Sequence, residues 1–225
     1  MLRRSAPAPR RGLAPAILAL AALATLASAV LPATARAQRA ARSPGAWTTL
    51  SVGYQDLRDV HEGGSNSDWL IGGFPVFRGT LEMPVNRSSQ LGAVVAYARM
   101  PMTYYGADCN GCNADATLWQ ALGMFRIGGG RGLHQVIEIT AGVSSVQDIR
   151  QQAGGQPLGP GSPVIVPTVA LGYGFSYPIT PRAELILLQE YGLMFFKRGD
   201  ALAGSNRSTP RTQMTRIGLR MGLGG

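Results

Sequence analysis

The residues of this chain that could do chemistry are two cysteines, two histidines and a set of arginines and glutamates. Cys109 and Cys112 stand in "CNGC", a spacing shared by redox dithiols, zinc sites and local disulfides. A redox dithiol needs a helix start in a βαβ setting, which the sequence does not supply. Zinc needs more ligands, and His61 is the one histidine able to join the pair, so no metal is expected. The spacing therefore predicts a Cys109–Cys112 disulfide stiffening an exported loop. His61 lies in "DVHEGGSNSD" with Glu62, Ser65 and Asp68, which are hydrolase residue types but equally those of any polar loop. His134 is predicted on the opposite rim, so the two histidines do not converge. "GGGRG", Gly128 to Gly132, has the glycines of a phosphate loop without the Lys-Ser/Thr and helix that must follow, and reads as a turn. No catalytic residue and no cofactor site emerges.

The charged set is more orderly. Arg78, Arg126, Arg216 and Arg220, with Glu82, Glu138, Glu184 and Glu190, all fall on one side of alternating segments. In "TRIGLRMGL", Ile217, Leu219, Met221 and Leu223 alternate with Arg216, Gly218, Arg220 and Gly222, which a strand places on opposite faces. The same alternation predicts seven earlier strands: Trp47 to Tyr54, "VFRGTLEMPV", "QLGAVVAYA", Thr117 to Ile127, "VIEITAGVSS", Thr168 to Tyr177, and "AELILLQEYGL". In each, the more apolar set carries no Asp, Glu, Lys or Arg, and the other set holds most of the glycines, small polar residues and charges.

The start of the chain sets the compartment. Arg3, Arg4, Arg10 and Arg11 precede an apolar run from Leu13 to about Leu31, followed by Ala35-Arg36-Ala37. These are the parts of a cleavable secretory signal peptide over 1–37, leaving a short tail at 38–45 and a barrel at 46–225. Five of the 21 basic residues lie in 1–37, which leaves 16 against 12 acidic and a net charge of +4. The high isoelectric point thus belongs largely to the leader, and no nucleic-acid partner is expected.

Connections between the strands alternate in length. Short ones lie at residues 86–89, 128–134 and 178–181, and long ones at roughly 56–70, 100–115, 147–163 and 195–211. An all-β, eight-stranded antiparallel up-and-down transmembrane β-barrel produces this pattern, with tight turns at one rim and long loops at the other. The apolar set then faces lipid and the Arg/Gly set faces the lumen, while the last strand closes on the first so that no edge is unpaired in hydrocarbon. Tyr54, Tyr97, Trp119 and Tyr191 would form an outer aromatic girdle, and Trp47, Phe125 and Tyr177 an inner one. Antiparallel pairing would set Arg126 near Glu138, Glu184 near Arg220 and Glu190 near Arg216. Eight strands leave a lumen that side chains can fill, so the eight charges read as a structural plug.

With these features in hand, the chain resembles the small eight-stranded outer-membrane β-barrels of Gram-negative-type bacteria, most clearly in "RGTLEMPV", "ALGYGFSYPI" and "TRIGLRMGL". It departs from them in finishing on Gly224-Gly225 rather than on an aromatic residue. The resemblance implies a monomer in the outer membrane, porin-like in architecture, contacting lipopolysaccharide and phospholipid and delivered by the barrel insertion machinery. It implies a non-enzymatic structural or surface-interaction role through the long loops. Two alternatives stand beside it. One is a lipid-modifying enzyme such as a lipid A deacylase, although the His-x-Ser pair of those enzymes is missing. The other is a periplasmic lipocalin-like barrel with its apolar face turned inward around a ligand.

Overall fold

The computed structural model describes residues 44–57, 60–62, 67–106, 109–130, 132–158, 163–197 and 209–224. The expected leader at 1–37 and Ser65 lie outside the described residues, as do the side chains of His61, Glu62 and Asp68. Ten strands follow in order: β1 (Ala46–Leu57), β2 (Val60–Glu62), β3 (Ser67–Ile71), β4 (Phe74–Pro84), β5 (Ser89–Gly106), β6 (Cys109–Gly128), β7 (His134–Gln151), β8 (Val164–Thr180), β9 (Ala183–Met194) and β10 (Arg211–Leu223). All neighbours pair antiparallel. Setting aside β2 and β3, the remaining eight form one closed ring, because β1 pairs with both β4 and β10 while β5 pairs with β6. The closing seam runs from Ala46↔Leu223 to Leu57↔Thr212 without a break.

The expected inversion of faces holds along the ring. Leu50, Leu81, Val95, Ile139, Leu171, Leu187 and Tyr191 are exposed, while Thr49, Arg78, Glu82, Arg126, Glu138, Glu190 and Arg216 are buried. Leu171 is 54% exposed at mid-strand, which water would penalise and hydrocarbon would not. On β8 Ile165 is also exposed beyond Pro167, and the unbroken exposed apolar set runs from Val169 to Ile179. That is roughly 33 Å along the strand, or about 25 Å of thickness at a tilt near 40°. A ligand-binding barrel of the lipocalin kind, with its apolar face inward, does not fit these exposures.

The long-loop end departs from expectation. Residues 100–115 read as a loop, yet β5 and β6 continue through them, paired as far as Gly106↔Cys109 with a bulge between Tyr104 and Tyr105. Pro101 lies within this continued strand. It falls where β5 changes partner, after its last rung with β4 at Ala98↔Val76 and before its first with β3 at Met102↔Ile71, so its missing N–H interrupts no ladder. Its carbonyl accepts the Gly72 N–H at 3.3 Å. Likewise β7 runs on to Gln151, and residues 156–158 fold back onto it through the Gln151 N–H to Gln156 carbonyl bond and the Leu158 N–H to Ile149 carbonyl bond, both 2.9 Å.

This outer extension has a core of its own, continuous with the upper lumen. Trp69 and Ile71 from β3, Phe74 and Val76 from β4, and Met100 and Met102 from β5 are buried there with Ala114 and Leu118 from β6. Ile149, Val166, Met194 and Met214 complete it, and the Trp69 and Tyr104 rings pack at 4.6 Å. The lumen is thus apolar toward the long-loop end, while toward the short-turn end the ionic groups are interleaved with two small apolar clusters, Val94 with Leu122 and Met124, and Val136 with Ile186 and Leu188.

Candidate functional site

The eight charged residues come together in the short-turn half of the lumen. Alternation aims each inward, and closure of the ring brings opposite walls within side-chain reach. At the centre is Glu138 on β7. Its Oε1 accepts from Arg78 Nη2 at 2.7 Å and from Arg216 Nη2, and its Oε2 accepts from Arg126 Nη2 at 2.7 Å. Arg126 reaches on to Glu82, donating from Nη1 to both carboxylate oxygens at 2.7 Å. Glu82 in turn accepts from Arg220 Nε at 3.0 Å, and from the hydroxyls of Thr49 and Thr80 at 2.7 and 2.9 Å. Arg220 Nη1 donates to Glu184 Oε2 at 2.8 Å, and Ser176 donates to the same oxygen at 3.2 Å. Arg78 Nη1 closes the other end on Glu190 at 2.7 Å, and Arg216 Nε lies 3.7 Å from that carboxylate.

One continuous chain of ion pairs therefore runs from Glu190 through Arg78, Glu138, Arg126, Glu82 and Arg220 to Glu184, with Arg216 bridging Glu138 and Glu190. Its eight residues come from five strands of the ring, β4, β6, β7, β9 and β10, and the hydroxyls of Thr49 on β1 and Ser176 on β8 bond to its carboxylates. Four cations and four anions balance, and Arg126, Arg216 and Glu82 are at most 2% exposed. Buried charge persists only when paired in this manner. The expected neighbours Arg126 with Glu138 and Arg220 with Glu184 are directly opposite in register. Arg216 and Glu190 are not opposite, and their contact is the loosest of the set. The links across the lumen, Arg78 to Glu138 and Arg220 to Glu82, had no signal in the sequence, because they depend on how the sheet curls.

Trp47 is a correction. Expected in the lipid-facing inner girdle, it belongs to the inward set with Thr49 and Ser51, and the Arg220 guanidinium lies 4.0 Å over its ring. It lines a cavity of about 870 Å³ at the short-turn mouth, with Gln90, His134, Glu184 and Arg220. Phe125 and Tyr177 do face outward. At the other border Tyr54, Tyr97, Trp119 and Tyr191 are exposed, the Tyr97 and Trp119 rings packing at 4.8 Å.

The remaining candidates stay apart. His134 sits at the short-turn end, its Nδ1 3.0 Å from the Gly132 carbonyl. Gly129 and Gly130 open the β6–β7 connection, and the N–H of Gly128, the last residue of β6, donates to the Ser88 carbonyl at 2.8 Å. Cys112 is disulfide-bonded, and Cys109 is the one other cysteine in the sequence. The pair stands on β6 at the tip of the β5–β6 hairpin rather than in a loop. Among the described residues no group of three or more His, Cys, Asp or Glu could hold a metal ion.

No protein-family model matches the sequence, and no curated protein matches it. Solved structures do. Neisserial surface protein A is 14% identical with a TM-score of 0.54, over 80% of this chain and 97% of that one. The outer membrane protein OprG of Pseudomonas aeruginosa is 11% identical with a TM-score of 0.54, over 81% and 98%. The fold is that of the small eight-stranded outer-membrane β-barrels. At these identities the likeness carries the ring and its strand count, and what this barrel does has to be argued from its own side chains.

Proposed function

We propose that this chain is a non-enzymatic outer-membrane barrel, spanning as a monomer placed by the insertion machinery and presenting a rigid platform outside the cell. The carrying observation is the packed extension of β5, β6 and β7 beyond the aromatic border. From Tyr97 to Gly106 the strand rises about 30 Å. The extension is held by a core of Trp69, Ile71, Met100 and Met102. A preordered surface of this kind loses little conformational entropy when a partner docks, which favours a recognition role over that of a flexible tether. The ionic chain and the apolar layer above it support a plug rather than a conduit, since water-filled passage would have to break buried ion pairs.

Two measurements on the whole chain test this. Reconstituted in planar bilayers, it should give no steady conductance above the protein-free membrane. In cells displaying it, replacing residues 103–112 by a tight turn should leave heat-dependent gel mobility intact and abolish attachment of the cells to surfaces that the parent binds. Conductance through an intact barrel, or attachment unaffected by the trimming, would overturn the reading.

A further inference from the structure

A cleft of about 470 Å³ lies on the outside of the barrel where β5, β6 and β7 leave the aromatic border. Its floor is Tyr97, and its walls carry Arg99, Asp115, Thr117, Asp148 and Arg150. A bulge builds it. β6 and β7 pair at Thr117↔Gln147 and next at Asp115↔Arg150, so β7 holds one more residue than its partner in that interval. Asp148 takes up the difference at φ +54°, in the left-handed region that Asp tolerates better than most residues. The bulge changes which face β7 presents: Val146 and Ile149 both point inward, and Asp148 and Arg150 both stand exposed outside.

The charges of the cleft are unequally engaged. Asp115 is occupied, one oxygen accepting from Arg99 Nη2 and the other from Gln152 Nε2, both at 3.0 Å. Asp148 and Arg150 have no side-chain partner among the described residues. They leave one uncommitted anion and one uncommitted cation two residues apart, directly beyond the Tyr97–Trp119 pair. Below that pair Val95 and Val143 belong to the exposed apolar band.

We propose that this cleft seats the head group of a membrane lipid bearing both a phosphate and a primary amine. Arg150 takes the phosphate, with Arg99 beside it, and Asp148 accepts from the ammonium. The acyl chains lie along Val95 and Val143, and the two rings sit at the level where apolar surface gives way to polar. A head group that is anionic alone would meet Asp148 unpaired, and charge-assisted hydrogen bonds at both ends favour the amine-bearing lipid. The proposal rests on the membrane placement argued above.

Native mass spectrometry of the whole chain from detergent tests it, with phosphatidylethanolamine and phosphatidylglycerol of matched acyl chains in competition. The amine-bearing lipid should be retained about fivefold over phosphatidylglycerol, and Arg150→Gln or Asp148→Asn should cut that ratio below about twofold. Both variants should keep heat-dependent gel mobility, which reports the barrel separately from the cleft. Equal retention of the two lipids, or a preference that survives both substitutions, would overturn the cleft while leaving the membrane reading intact. Loss of heat-dependent mobility in the parent chain would overturn the membrane reading itself. A parallel competition between lipid A with and without phosphoethanolamine identifies which molecule supplies the shared chemistry.

Discussion

The Arg220 guanidinium lies over the Trp47 ring at 4.0 Å, across the β1–β10 seam that closes the barrel. The first and last strands of the ring are thus fastened at the short-turn mouth by a side-chain contact as well as by backbone rungs. Trp47→Ala removes the ring while leaving Arg220 its carboxylate partners Glu82 and Glu184. The expected loss is about 1–3 kcal/mol, from a partly buried cation–π contact and its apolar area. It would be read as a lower temperature for the folded-to-unfolded gel shift, with Trp47→Phe in between.

Glu138 holds three arginines, so Glu138→Gln leaves buried cations with too little counter-charge. A cost of roughly 3–5 kcal/mol is expected. Glu184→Gln should cost clearly less, because its side chain keeps 16% exposure and its one ion pair is with Arg220. Urea unfolding in detergent micelles, monitored by tryptophan fluorescence, would rank the two. The ionic chain is not the stabilising unit if they prove equal.

Gly174→Ala places a methyl group against the Leu187 carbonyl and 2.8 Å from the Leu188 Cα, both backbone atoms of the neighbouring strand. The strands would have to move apart, at about 1–3 kcal/mol or more. Gly79→Ala meets only Leu50 Cδ2 at 3.9 Å and should fold like the parent. Yield of heat-modifiable protein after refolding separates the two.

Leu171→Arg puts a cation at the middle of the exposed apolar band, with an expected penalty of about 2–4 kcal/mol in a bilayer. Serine at Leu133, an exposed turn residue, should be silent. Comparing refolding into vesicles with refolding into a zwitterionic detergent would show whether the penalty follows the hydrocarbon.

Opening the Cys112 disulfide should act locally. With Cys109 as its partner the closed loop is very short, so chain entropy supplies only about 2 kcal/mol. The double Cys→Ser variant is expected to be nicked faster by protease at the hairpin tip while the barrel transition stays where it was.

Much of this barrel was legible because a period of two is a strong signal wherever one face meets lipid. Arg126 with Glu138 and Glu184 with Arg220 could be read because antiparallel rungs make them neighbours on adjacent strands. Trp47 was misread because a ring at a strand end suits either border, whereas counting parity from Thr49 turns it inward. The outer extension was hidden by Pro101 and by the bulges at Tyr104/Tyr105 and Asp115/Thr117, which break the alternation without ending the strands. The apolar layer built on Met100, Met102 and Met214 was missed for a related reason. Most of it lies beyond the stretches where the two faces differ in polarity.

The closed balance of charge in the lumen also limits how this sequence can drift over generations. Replacing any one of the eight with a neutral residue strands an opposite charge, so tolerated change should arrive as coupled substitutions of opposite sign. A descendant that loses Arg78 would be expected to lose Glu190 as well, their carboxylate–guanidinium contact being 2.7 Å. Ile139 and Leu171, on the far side of the same wall, carry no such partner and are free to interchange with any residue lipid accepts. Adjacent residues such as Glu138 and Ile139 can thus differ greatly in their evolutionary tempo.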